Sequence, residues 1–375
     1  MTMNMNPEKL MNLHCSRKLL FQLLFSFIGL LAASDAFCCT SVIISGGVRA
    51  DGRPVMMKHR DSGELNNRIR WFRGPAYSFI GLVDSSSKGG EVWSGTNEAG
   101  FCIMNTATYD LKNDDVPQEM MDREGILMYK ALGICRTVED FVTFLDTLSR
   151  PMGVEANFGV IDACGGASYF EVDNSDWVRF DVADEPGGYM VVTNFTRTGR
   201  PEDRKGVDRY EKACSIMSSA DIPTADHRVL FNRISRSGSP ITRSITSSSI
   251  VFEGVASDED PLRTVMWPIL GSPCNCIYLP LMVSDRDRIP SFMKDTGSEG
   301  NSNICDNALI IKGIYGYTTG CRDECARIEE YVDSAFDRNM RKSAYSHMMR
   351  KAYRKYVAMC RRKMPKVVVN HCLIQ

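Results

Sequence analysis

Cys39 is the residue of this sequence best placed to do chemistry. It follows a short basic stretch, Arg17 and Lys18, an apolar run from Leu19 to Ala33, and a group of small residues. The run is shorter than the roughly 20 residues of a membrane helix and has the layout of an export leader. Cleavage after Cys38 would place Ala36 and Cys38 at the two positions where small residues are wanted, and would leave Cys39 with a free α-amino group. Such a residue holds a thiol nucleophile and an amine base together. An unperturbed terminal amine, with a pKa of about 7.7 to 8.0, accepts a proton near neutral pH without help from a histidine. Ser34, Asp35 and Ala36 offer a second cleavage site. Its use would leave Phe37 and Cys38 attached, and a further, self-catalysed cut would then have to free Cys39. The plainer alternative makes Cys38 and Cys39 half-cystines near a mature N-terminus. A lipid-anchored cysteine is disfavoured by Phe37, which stands where a small residue is expected.

Other catalytic signatures are missing. The chain has no GxSxG elbow, no P-loop, no GxGxxG and no HExxH. Cys274 with Cys276, and Cys321 with Cys325, read as close pairs. The second pair could be joined by His347 or His371 as zinc ligands, but no second short-spaced pair completes a four-ligand set. No metal and no organic cofactor are therefore expected. A formal net charge of −1 argues against a chain built as a whole to bind nucleic acid. Twelve of the 14 cysteines lie from Cys39 onward. With Cys39 set aside an odd number remains, so at least one thiol stays free even if export allows disulfides.

Four short motifs in order, CTSVIISG, KHRDSG, GTNEAGF and VVTNF, resemble the N-terminal-nucleophile (Ntn) amidases. The branch is that of the acyl-coenzyme A:6-aminopenicillanic acid acyltransferases, within the choloylglycine hydrolase and penicillin V acylase group. The resemblance covers about residues 39–281. It implies that Cys39 is the nucleophile and that Asp61 contacts its amine or thiol. It implies that Asn97 lines the site and offers a backbone N–H to the oxyanion, and that the side-chain amide of Asn194 donates to the same oxyanion. Lys58 stands where choloylglycine hydrolases have an arginine; the charge is kept and the bidentate fork lost, unless Arg60 supplies it. Phe195 stands where the acyltransferase branch has a histidine. Arg209 and Arg243 are the candidates for the family's late arginine. Read singly, the three polar residues have plainer roles: Asp61 as a surface ion pair, Asn97 as a turn former, Asn194 as part of a glycosylation sequon.

The elements that must position these residues can be read from periodicity. Residues 40–46 and 54–61 alternate like paired strands around the turn ADGRP, and YSFIGLVD, EVWSG and GFCIMNTAT continue the pattern. A helical stretch follows from about Arg123 to Leu148, with Ile126, Tyr129, Leu132 and Cys135 on one face. Thr137 and Asp140 resemble a capping box opening a second helix, with Phe141, Phe144, Leu145 and Leu148 on its apolar side. Strands resume with NFGVIDA, ASYFEVD, WVRFDV and YMVVTNF. From Arg197 to Ser249 the pattern weakens; IVFEGV and IYLPLMV then read as strands, and 285–303 as an exposed loop. Cys321 to Lys363 reads as helix. No acidic residue follows Asp337, while Arg338 to Lys366 carries eleven Lys and Arg. A surface for an anionic partner or membrane is the sharp reading of that run, and a solvated helix face the favoured one.

Strands, then helices, then strands argue for an α+β protein. The resemblance sharpens this to a four-layer α-β-β-α Ntn-hydrolase sandwich of two antiparallel sheets flanked by helices. The expected organisation is a leader over 1–38, an amidase domain over 39–320, and a basic helical segment over 321–375 packed on the same domain. The expected activity is that of an exported (periplasmic or extracellular) cysteine amidase acting on a linear, non-peptide C–N amide of a small N-acyl compound. An acyltransferase and a disulfide-rich exported binding or structural protein are the alternatives. Trp71, Phe72 and the Phe101 turn are candidate pocket walls. No nucleic-acid partner and no transmembrane segment in the mature chain are expected, and homo-oligomerisation stays open.

Overall fold

The computed structural model describes residues 37–111, 116–283, 289–297 and 300–364. Residues 1–36 of the expected leader, parts of the loop at 285–303, and His371 lie outside the described residues. Among the described residues, twelve strands form two antiparallel sheets. One is a five-stranded sheet in the order β10-β1-β2-β11-β12, built from β1 (Phe37–Ile44), β2 (Val55–Ser62), β10 (Tyr189–Val192), β11 (Thr246–Glu253) and β12 (Val265–Leu270). The other is a seven-stranded meander in chain order: β3 (Asn67–Arg73), β4 (Ser78–Asp84), β5 (Ser94–Asn97), β6 (Cys102–Ala107), β7 (Ala156–Ile161), β8 (Ala167–Val172) and β9 (Trp177–Asp181). The readings of these segments as strands hold, except at IYLPLMV. There Pro280 removes a ladder donor, and only a single bridge, Met266 to Leu281, is formed. The strands β3 and β12 carry too many charges or too short an apolar run to have been read.

Side-chain alternation in the meander sorts residues between two cores. Phe79, Ile103, Phe158 and Phe170 face outward, onto α1 (Glu124–Ile134) and α2 (Val138–Thr147). Their neighbours Ile80, Leu82, Met104 and Tyr169 face the five-stranded sheet and join the larger core. That core continues into α3 (Val207–Ser218), α5 (Asn303–Tyr315), α6 (Arg322–Ala335) and α7 (Lys342–Lys363); the short α4 is His227–Leu230. The result is a four-layer α-β-β-α sandwich. Thr137 and Asp140 form the expected capping box of α2.

The inward face of α1 differs in part from the expected one. Leu132 and Cys135 are buried as expected, Ile126 is exposed and Tyr129 only half-buried, and Leu127, Met128 and Ala131 face inward as well. Two glycines decide this. A Cβ at Gly133 would lie 2.9 Å from Pro75, and one at Gly125 3.1 Å from Glu91, so the helix turns its glycines toward the chain it touches. The C-terminal run is two helices, α6 and α7, interrupted between Ala335 and Lys342. Helix α6 is anchored by a buried fork in which Arg236 donates to both Glu329 oxygens, at 2.8 and 2.6 Å. The helices α3 and α5 went unread because weak apolar periodicity hid them. All described cysteines are free thiols, including the pairs Cys274/Cys276 and Cys321/Cys325. No group of three or more metal-ligating side chains occurs among the described residues.

Candidate active site

Cys39 lies near the start of β1 and is 7% exposed. Its backbone nitrogen donates to Asn194 Oδ1 at 2.7 Å. The same oxygen accepts from Arg209 Nη2 at 2.8 Å, and Asn194 Nδ2 donates to the Ala107 carbonyl at 2.7 Å. A guanidinium can only donate and a carbonyl only accept, so the orientation of the amide is fixed. Arg209, from the first turn of α3, also donates to the Cys39 carbonyl and, at 3.4 Å, to Thr40 Oγ1. One strand end, one asparagine and one arginine thus hold the backbone of Cys39.

The two cysteines lean opposite ways. Ser41 Oγ, two residues on from Cys39, accepts from Tyr169 Oη of the seven-stranded sheet at 3.0 Å. Alternation places the Cys39 thiol on that same side. The ammonium of Lys58 comes to this space from β2, donating to the Trp93 carbonyl and to Asn105 Oδ1, each at 2.7 Å. Burial pulls the Lys58 amine down to about 8, and the neighbouring Cys39 thiol acts in the opposite sense. Cys38 takes the other face, where it hydrogen-bonds Arg243; burial pushes its thiol up, against Arg209 and Arg243.

Asp61 shares the Cys38 side. Thr246 Oγ1 donates to Asp61 Oδ1 at 2.6 Å, and Arg243 Nη1 stands 3.6 Å from Oδ2. That buried Oδ2 has no hydrogen-bond donor among the described residues. Burial pushes the carboxyl up to about 6, in spite of the Thr246 hydrogen bond and the charges of Arg243 and Arg209. His59 Nε2 approaches Asp61 to 3.7 Å, yet this is no ion pair. Burial lowers the imidazole to about 3, and its nitrogens face Ser249 Oγ and the Ile241 carbonyl.

Of the residues expected at the site, the fold gathers Cys39, Asn194, Arg209, Asp61 and Arg243 around the start of β1, with Lys58 across the sheet. Two others it employs elsewhere. Arg60 forks Asp84 at 2.8 and 3.1 Å, with Trp93 beneath its guanidinium, and so ties the two sheets together. Asn97 is in register with Phe79, on the face turned to the helices. Its backbone N–H donates to the Phe101 carbonyl at 3.0 Å. Its Nδ2 donates to the carbonyls of Leu132 and Cys135, and its Oδ1 accepts from Ala99 and Phe101. The expectation that Asn97 offers its N–H to an oxyanion is therefore corrected: the residue ties a turn to the end of α1. Asn194 is corrected in part, since it meets Cys39 through its oxygen. Phe72 and Phe101 belong to the outer core rather than to a pocket wall. Thr246 and Asn105 were missed; a hydroxyl opening β11 and an amide in β6 carry no local signal.

No family model matches the chain, and the comparison with curated proteins gives no match. Solved structures do resemble it. One is an N-acylethanolamine-hydrolyzing acid amidase ortholog of Caenorhabditis elegans (TM-score 0.47, 14% identity, 60% of this chain and 95% of that one). Another is a penicillin V acylase from Agrobacterium tumefaciens (TM-score 0.43, 15% identity, 66% and 86%). A third is a variant of a conjugated bile acid hydrolase from Clostridium perfringens (TM-score 0.44, 11% identity, 66% and 94%). This chain's own strand pairing and cores make it the α-β-β-α sandwich that its four motifs implied.

Proposed function

We propose that the chain is an exported cysteine amidase hydrolysing a linear, non-peptide C–N amide of a small N-acyl compound, with Cys39 as N-terminal nucleophile. The observation that carries this reading is the setting of the Cys39 nitrogen, 2.7 Å from a buried Asn194 Oδ1 that Arg209 holds in place. While Cys38 is attached, that nitrogen is an amide and no base. Removing Cys38 turns it into an amine with an acceptor already in position. The same cut takes the Cys38 thiol away from Arg243.

The chemistry then runs without a cofactor. The amine takes the thiol proton, and the sulfur attacks the acyl carbon. The negative charge that gathers on the acyl oxygen needs donors. Asn194 Nδ2 is turned to Ala107 and Arg243 lies on the face away from the thiol, so we assign this task to the Lys58 ammonium, which reaches the thiol side of the sheet from β2. The C–N bond breaks as the amine returns the proton to the leaving nitrogen. Water, losing its proton to the same amine, cleaves the thioester and restores the thiol. Acyl transfer is the same scheme with an amine in place of water.

A panel of N-acyl amides against purified mature protein tests the reading. Cys39→Ala should abolish turnover. Cys39→Ser should lose most of it, since a hydroxyl is the poorer nucleophile at neutral pH. Wild-type turnover by a folded Cys39→Ala protein would remove Cys39 from the mechanism.

A further inference from the structure

Helix α7 carries a cationic face that the proposed chemistry leaves unused. Its 22 residues include eight Lys or Arg and no acidic residue. At about 100° per residue, Arg350, Lys351, Arg354, Lys355, Arg361 and Arg362 fall within an arc of roughly 140°. All six are exposed. The opposite arc holds Tyr345, Met348, Met349, Ala352, Tyr356 and Met359, all buried. Lys351 and Lys355 lie over the Tyr331 ring of α6, at 4.7 and 4.6 Å. Lys363, off the arc, pairs with Glu324 at 2.6 Å. Arg350, Arg354, Arg361 and Arg362 have no carboxylate partner among the described residues. Since the chain as a whole has a net charge of −1, what lies outside α7 is net acidic. The charge is separated along the molecule, and this one face is strongly positive.

We propose that the outer face of α7 docks the protein on an anionic phospholipid surface. The helix is about 33 Å long and presents its cations along one side, as a planar partner of opposite charge requires. Nucleic acid fits it less well. Packing on α5 and α6 keeps the helix from sinking into a groove. No Phe, Tyr or Trp lies on the cationic arc for stacking single-stranded bases.

Co-sedimentation of the full chain with vesicles tests this. Binding is expected to vesicles of about 30% phosphatidylserine in phosphatidylcholine at about 0.1 M salt, and not to pure phosphatidylcholine. It should vanish near 0.5 M salt, where the screening length is only about 4 Å. The joint variant Arg350→Glu, Arg354→Glu, Arg361→Glu, Arg362→Glu should lose at least about 100-fold in partitioning. All four sites are exposed, so its melting temperature and any turnover should stay those of wild type. Should the reversal unfold the chain, the salt titration of the wild type on the two vesicle types decides alone. Equal partitioning to both vesicles, an unaffected folded variant, or tighter binding to a DNA duplex than to the anionic vesicles at the same salt would overturn the proposal.

Discussion

Asp61 and Asn97 look alike in the sequence, each a polar residue at the end of a strand, and they end in opposite settings. Asp61 is buried with one oxygen unpaired, and its carboxyl is pushed from 3.8 up to about 6. A group whose folded pKa is raised favours the folded state below its unfolded pKa and loses that contribution as pH rises through the folded value. At neutral pH the ionised Asp61 is thus a strain on the fold. Asp61→Asn should raise stability at pH 7.5 by up to about 3 kcal/mol, with the gain shrinking to nothing near pH 4. If Asp61 serves the Cys39 amine in the proposed chemistry, the same change should also lower kcat at least about 100-fold. Melting curves and rates across pH read both effects; a lower melting temperature at pH 7.5 would make Asp61 a structural acceptor. Asn97 predicts the reverse pattern. Asn97→Ala removes four buried hydrogen bonds and should cost about 2–4 kcal/mol by denaturant titration. Turnover per folded molecule should stay within about twofold, because no bond of Asn97 reaches Cys39.

Among the elements, the C-terminal helices are held by further charged contacts besides the Arg236–Glu329 fork, one of them at a histidine. His227, on α4, sits between Glu253 of β11 at 2.8 Å and Asp333 of α6 at 3.1 Å, stacked on Trp267 at 3.8 Å. Burial alone would lower its pKa, but the two carboxylates outweigh it and raise the imidazole to about 9. Glu253 is likewise opposed by burial and is held far below its usual range by His227 and Arg338. The raised His227 stabilises fully below its unfolded pKa of 6.5, and that contribution is lost as pH rises through about 9. The wild-type melting temperature should therefore fall between about pH 7 and pH 9.5. His227→Gln should lower it at pH 7 and flatten the alkaline fall. An alkaline limb of equal slope in both proteins would show that the contact is not what titrates. A cleft of about 570 Å³ opens beside this cluster, lined by Arg49, Arg53, Arg228 and Arg338 with acidic partners, and does not include Cys39.

For the whole molecule, the chain with Cys38 attached and the chain without it should differ more in chemistry than in shape. Asn194, Arg209 and Asp61 are each held by bonds that do not involve Cys38. A protein made to begin at Cys39 should fold with an unchanged circular dichroism spectrum and turn over amides. One that begins at Phe37 and cannot be cut should fold equally well and be inert. Intact mass identifies the first residue, and turnover by a form that demonstrably retains Cys38 would exclude the terminal amine as base.

The sequence by itself determined most of the strands, the capping box of α2, the layered α+β class and the identity of Cys39 as the residue to watch. Those are local matters: alternation, turn chemistry and a cap are written in neighbouring residues. It also brought Asp61 and Asn194 forward, through the order of four motifs. What only the tertiary structure decided is which atom of each residue faces which partner. Lys58 and Asp61 are three residues apart, and the pleat sends them to opposite faces of one sheet. Asn97 and Thr96 are adjacent, and register with β4 turns the asparagine toward α1. The partners that define Asp61 and Asn194, Thr246 and Arg209, are 185 and 15 residues away. Contacts of that kind follow from sheet pairing and helix docking, and no window of sequence contains them.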